Sequence, residues 1–143
     1  DDLKKYVRRI LTNLYTAPVI FEHGSMLLKT GSGNCIDHAH FQFLPFSIDL
    51  LPRLQQDYIF YSIPTLDEIL KLKHSRKAYL YFEDQNGSMF VANTDLVSSQ
   101  YFRRIISEML GNPSQWDYEI YPNYTQIKLT IEQISSWIAE NPM

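Results

Sequence analysis

Hydrophobic positions along this chain change period several times, and each change marks an expected element. Leu3, Tyr6, Val7, Ile10, Leu11 and Leu14 recur at helical spacing with Lys and Arg on the other side, which predicts an amphipathic helix over 1–15. Asp1 and Asp2 suit the positive end of its dipole. Pro18 breaks that period, and 17–21 read as a strand ending in Glu22-His23-Gly24. From Ile36 to Leu44 polar and apolar residues alternate, the pattern of a strand with two unlike faces. His38, His40 and Gln42 share one face, and Ala39, Phe41 and Phe43 share the other, the one expected to pack into a core. Between these strands Gly31 and Gly33 flank Ser32, so the loop over 24–35 can turn backbone N–H groups toward an oxyanion. A plain glycine-rich hairpin turn fits the same spacing.

Further on, Pro45 closes the alternating strand, and 47–56 predict a short helix that starts late or is irregular because of Pro52. A strand is expected over 58–63, then a helix capped by Thr65 and running to about residue 73, with Asp67 and Glu68 in its first turn. The runs 78–83 and 89–92 bracket Asn86-Gly87, a strong hairpin signal. Ser98 or Ser99 is expected to cap a helix to Leu110, stopped by Gly111 and Pro113, with Ile105, Ile106, Met109 and Leu110 as its buried stripe. Trp116 and the tyrosines at 118, 121 and 124 fall in an irregular stretch. Thr130 is expected to cap a last helix that has Glu132 near its start and Ile131, Ile134, Trp137 and Ile138 as its apolar face. The sum is one α+β domain over 1–143, an antiparallel sheet flanked by helices.

Composition narrows the partners. A net charge of −3 and a pI near 5.8 argue against broad electrostatic binding of nucleic acid or of an anionic membrane. No apolar run reaches the roughly 20 residues of a membrane span, and no secretory signal pattern is present. The lone Cys35 excludes an internal disulfide and suits a reducing compartment, so a cytoplasmic location is expected. The chain opens at Asp1 without a methionine, the mark of a processed product or a fragment.

The polar face of 36–44 is where chemistry is expected. An unperturbed imidazole has a pKa of about 6.5 and is a good nucleophile near neutrality. Attack on phosphorus would give a phosphoramidate and divide one displacement into two easier ones. The helpers required are a group that fixes the nucleophile's tautomer, donors for the phosphate oxygens, and a route for the leaving group. His40 sits mid-face between His38 and Gln42, and the glycine-rich loop enters from one end. Two other readings use the same residues. His-x-His on a strand also suits zinc, with Cys35 and His23 nearby, and partly buried histidines can be satisfied by backbone alone. The adjacent Arg103 and Arg104 face different ways on a helix and read as a solvated face.

The run GSGNCIDHAHFQFLP resembles the histidine-triad motif, His-φ-His-φ-His-φ-φ with φ apolar, preceded by its glycine loop. Gln42 takes the place of the third histidine, as in the branch that includes galactose-1-phosphate uridylyltransferase and the dinucleoside tetraphosphate phosphorylases. The flanking FEHG, DLLPRL and SQYFRRIISEMLGNPSQWDYEIYP are also similar to bacterial histidine-triad-like (HIT-like) proteins. The resemblance implies that His40 attacks the α-phosphorus of a nucleotide conjugate and becomes nucleotidylated. It implies that His38 orients His40 and that Gln42 hydrogen-bonds the phosphate. Cys35 falls where many members place Ser or Thr beside the leaving group, and Glu22 falls near an amide position that contacts phosphate or ribose. A carboxylate at 22 would repel phosphate unless protonated or turned toward a hydroxyl. His23 is either a fourth imidazole at the site or a strand-end surface residue. With Gly33 and Asn34, these make up the implied nucleotide-contacting set. An amide at 42 cannot exchange a proton as an imidazole can, which favours transfer to a sugar phosphate or inorganic phosphate over hydrolysis. The implied protein is a nucleotidyl transferase or hydrolase without cofactor or metal, and often a homodimer. A nucleotide-binding module that has lost turnover is the alternative. HIT-like domains usually carry several strands ahead of the helix that precedes the motif. Here a helix and one strand come first, so either the front half was lost by cleavage or the hairpin at 78–92 takes its place in the sheet; a fragment or a naturally short chain with an exposed sheet edge is expected.

Overall fold

A computed structural model describes residues 2–24, 40–72, 78–94, 97, 98 and 100–142. Their order is α1 (Asp2–Leu14), β1 (Pro18–Gly24), β2 (Gln42–Pro45), α2 (Leu51–Leu54), β3 (Tyr61–Ile63), α3 (Asp67–Leu72), β4 (Ala78–Glu83), β5 (Met89–Thr94), α4 (Tyr101–Met109) and α5 (Tyr124–Glu140). The five strands form one sheet in the order β2-β1-β4-β5-β3, with every neighbouring pair antiparallel. The expected α+β class is therefore observed.

Both faces of the sheet are covered, which explains why β1 opens on the apolar run Pro18 to Phe21. On one face Val19, Phe21, Leu80, Phe82 and Ala92 pack against Leu50 and Leu54 of the α2 region and against Tyr101, Phe102, Ile105 and Ile106 of α4. The rings of Phe21 and Phe102 stack with centroids 4.7 Å apart. On the other face Ile20, Tyr79, Tyr81 and Val91 meet Ile63 of β3 and Ile69 of α3. The β4–β5 hairpin turns where the Asn-Gly pair predicts it. Asp84 Oδ1 accepts the backbone N–H groups of Asn86 (2.9 Å) and Ser88 (2.8 Å), and Gly87 takes φ +88°, a left-handed conformation natural to glycine.

Helix α1 is tied to the sheet by charge. Arg8 Nη1 lies 2.9 Å from Glu83 Oε1, Lys4 Nζ contacts Glu83 Oε2, and Arg8 Nη2 donates to the Gln85 carbonyl at 2.6 Å. Helix α5 is held more lightly. Tyr6 meets Trp137 edge-on at 6.1 Å, Arg9 lies over both rings, and the Tyr15 hydroxyl donates to Gln133 Oε1. None of its 17 residues is buried.

Several boundaries differ from expectation. The last helix starts at Tyr124 and not at Thr130, because Pro122 and a left-handed Asn123 set its entry and Thr130 lies inside it. Its expected apolar face is only partly used: Ile131 is 59% exposed and Ile138 40%. Leu110 lies just past the end of α4 and is exposed, so the stripe of that helix stops at Met109. No side-chain cap opens α4, where Gln100 adopts a left-handed conformation.

Candidate functional site

The sheet brings together part of the expected site. In β1, Glu22 and His23 are consecutive and so point to opposite faces, His23 with Val19 and Phe21, Glu22 with Ile20. Gln42, the first residue of β2, pairs with Phe21 and shares the face of His23. Extending that pairing past the strand end sets Phe41 across from Glu22 and His40 across from His23. Two observations agree with this placement. The backbone N–H of His40 donates to Glu22 Oε1 at 3.0 Å, and the Phe41 ring lies 5.3 Å from that of Tyr81, the β4 residue paired with Glu22. Phe41 is thus only half in the core that was expected for it, at 36% exposed, while Phe43 packs on the Ile20–Tyr81 cluster.

The strand that carries Gln42 ends the described sheet, bonded to β1 on one side. The 78–94 hairpin joins the sheet through β1 and does not pair with β2. The alternating strand expected over 36–44 is described here as a strand over 42–45, with His40 and Phe41 leading into it. His38, Gly33, Asn34 and Cys35 lie outside the described residues, as does the Gly-Ser-Gly loop.

Electrostatics tie His40 to both β1 residues. Burial raises the Glu22 carboxyl above its ordinary range, while hydrogen bonds from Tyr79 and the His40 amide, and the charge of His40, pull it back. Burial lowers the His23 imidazole, and His40 lowers it further. A His23 imidazole kept neutral places no second positive charge beside His40.

Glu22 does not face outward as a phosphate or ribose contact would. It is 2% exposed, and its two oxygens are engaged by the His40 amide and by the Tyr79 hydroxyl, which donates to Oε2 at 3.0 Å. Tyr79 is a functional candidate that the sequence reading passed over as an ordinary strand residue. It pairs with Gly24, and a Cβ built on Gly24 would overlap the Cε1 and Cζ atoms of its ring. The missing side chain at 24 is what lets the phenol cross β1 and reach Glu22.

Among the described residues no group of three His, Cys, Asp or Glu side chains is placed to hold a metal ion. A shallow cleft between α1 and α5 is lined by Leu14, Glu132, Gln133, Ser136, Trp137 and Glu140, none of them a candidate site residue. Arg103 and Arg104 are exposed but not idle. Arg104 lies 3.7 Å above the Trp116 ring and Arg103 5.1 Å above Tyr118, which fastens the segment after α4 onto that helix. No helix among the described residues is long and apolar enough to cross a membrane. No family model, curated protein or solved structure matches the chain.

Proposed function

We propose that this chain is a HIT-like nucleotide-binding protein that transfers or hydrolyses a nucleotidyl group through His40. The observation that carries the reading is the β1–β2 pairing, which puts Gln42 opposite Phe21 on the face of His23, with the His40 amide held by Glu22 just before it. In the proposed step the His40 imidazole attacks the α-phosphorus of a nucleotide conjugate. A P–N bond forms, the bond from phosphorus to the leaving-group oxygen breaks, and the leaving group departs with its electron pair. The Gln42 amide donates to a non-bridging oxygen of the intermediate. An acceptor oxygen, from a phosphate, a sugar phosphate or water, then attacks phosphorus, and the P–N bond returns its electrons to the imidazole. His38 is assigned to orienting His40 by sequence resemblance alone.

The test is mass spectrometry of the intact chain after brief incubation with UDP-glucose, ADP and diadenosine tetraphosphate in turn. A nucleotidyl adduct is expected that acid removes and that His40→Ala abolishes. Binding of AMP or UMP without any adduct would favour the turnover-free binding module. Neither adduct nor binding would overturn both readings.

A further inference from the structure

We infer that Glu22 is a positioning residue for His40: its carboxylate, steadied by the Tyr79 hydroxyl across the gap left by Gly24, grips the His40 backbone and fixes where the imidazole stands. The inference rests on the proposed role of His40, but its geometric part can be tested separately.

The chain leaves the sheet ladder before it reaches His40. Strand β2 begins at Gln42, two residues after it. The Glu22 side chain accepts the His40 N–H at 3.0 Å. Taking that acceptor away would cost free energy and shift the backbone that carries the nucleophile.

A carboxylate is a costly choice for that task. Glu22 is almost fully buried, and no Lys or Arg among the described residues forms an ion pair with it. A neutral amide would be cheaper to bury. What the carboxylate adds is strength, because a hydrogen bond to an ionised acceptor is roughly twice as strong as a neutral one. Its second oxygen is held by Tyr79 at 3.0 Å, so the side chain cannot rotate away from His40 without breaking that bond as well. The glycine opposite Tyr79 completes the arrangement, since any side chain at 24 would displace the phenol.

The grip is sensitive to protons. The titratable groups around Glu22 are Tyr79 and Tyr81 from β4, His40 from the segment leading into β2, and its chain neighbour His23. Both tyrosines are raised and stay protonated as donors through the neutral range. Protonation of Glu22 therefore weakens the bond to His40 while Tyr79 remains in place.

The experiment follows the His40 amide proton by NMR in the full ¹⁵N-labelled chain as pH is varied, alongside the rate of adduct formation. In the wild type the amide signal is expected to move upfield as pH falls, with a midpoint above the ordinary carboxylate range. Glu22→Gln should remove that step. Tyr79→Phe should push the midpoint further up, because the phenol bond holds the Glu22 pKa down. Adduct formation by Glu22→Gln should slow by about 10–100-fold, with nucleotide affinity little changed, as expected when a reacting group is misplaced by a fraction of an ångström to an ångström. If Glu22→Gln does not fold, Tyr79→Phe and Gly24→Ala carry the same test. A His40 amide titration that persists unchanged in Glu22→Gln, or that ignores Tyr79→Phe, overturns the inference. Loss of the titration in a protein that never forms an adduct would uphold the anchoring and sink only the chemistry assigned to His40.

Discussion

Glu22 and Glu83 lie on the same face of the sheet, both nearly inaccessible to solvent, and each accepts a hydroxyl from a tyrosine of β4. Their other partners differ in kind. Glu83 faces Lys4 and Arg8, two cations delivered by α1, and Arg8 also grips the hairpin turn through the Gln85 carbonyl. Glu22 has a phenol and one backbone amide. A buried carboxylate that is matched by cations works as a fastener, and here it clamps the first helix to the sheet. A carboxylate held by a phenol and a backbone amide, with no Lys or Arg ion pair among the described residues, sits closer to protonation, so its value lies in what it holds. The same residue type on one surface thus serves the fold in one place and the candidate site in the other.

The largest effect should come from breaking the fastener. Removing both cations with Lys4→Ala and Arg8→Ala leaves Glu83 buried and unpaired, and a loss of about 3–5 kcal/mol is expected in urea denaturation. Glu22→Gln should change stability at neutral pH by less than about 1 kcal/mol, because an amide of the same size replaces a charge whose burial was unfavourable. Equal losses from the two experiments would erase the distinction.

The pH dependence sharpens it. Glu22 is raised from an ordinary 4.5, so the folded state holds this proton more tightly than the unfolded chain. Its contribution to stability is largest below that value and is lost as pH rises through the folded pKa. His23 is lowered from 6.5, so the unfolded chain takes its proton first, and stability falls as pH drops below that value. Glu22 thus contributes a falling slope above 4.5 and His23 a rising slope below 6.5. Relative to wild type, Glu22→Gln should make stability climb more steeply with pH in this window, and His23→Gln should do the reverse. Denaturation midpoints collected across it would show both signs, and matching slopes in the two variants would refute the assignment. The smallest effect concerns neither carboxylate. Trp116→Ala removes the ring beneath Arg104 and should cost about 0.5–1 kcal/mol in a thermal melt.

Much of this fold was legible because its signals are local. The period of α1, the Asn86-Gly87 turn and the stripe of α4 through Met109 all reappear as expected. The entry of α5 was not, since Thr130 looks like a cap although nothing local distinguishes a capping threonine from an interior one. The site divides the same way. Alternation along β1 already separates Glu22 from His23, so the sequence could have shown that the two do not serve one pocket face. Tyr79 was hidden for a different reason. Its importance depends on lying opposite Gly24, a pairing between residues 24 and 79, and one strand read alone carries no register.

Helix α5 has a further consequence. A 17-residue helix rich in the β-branched Thr125, Ile127, Thr130, Ile131, Ile134 and Ile138, with no side chain in the interior, has little of its own to keep it wound. It can peel from α1 at the cost of the Tyr6–Trp137 contact and a few surface bonds, leaving both layers over the sheet intact. Heated slowly, such a molecule comes apart in stages. The indole at 137 would report the first and the tyrosines of β4 the last, so a single melting temperature would describe neither.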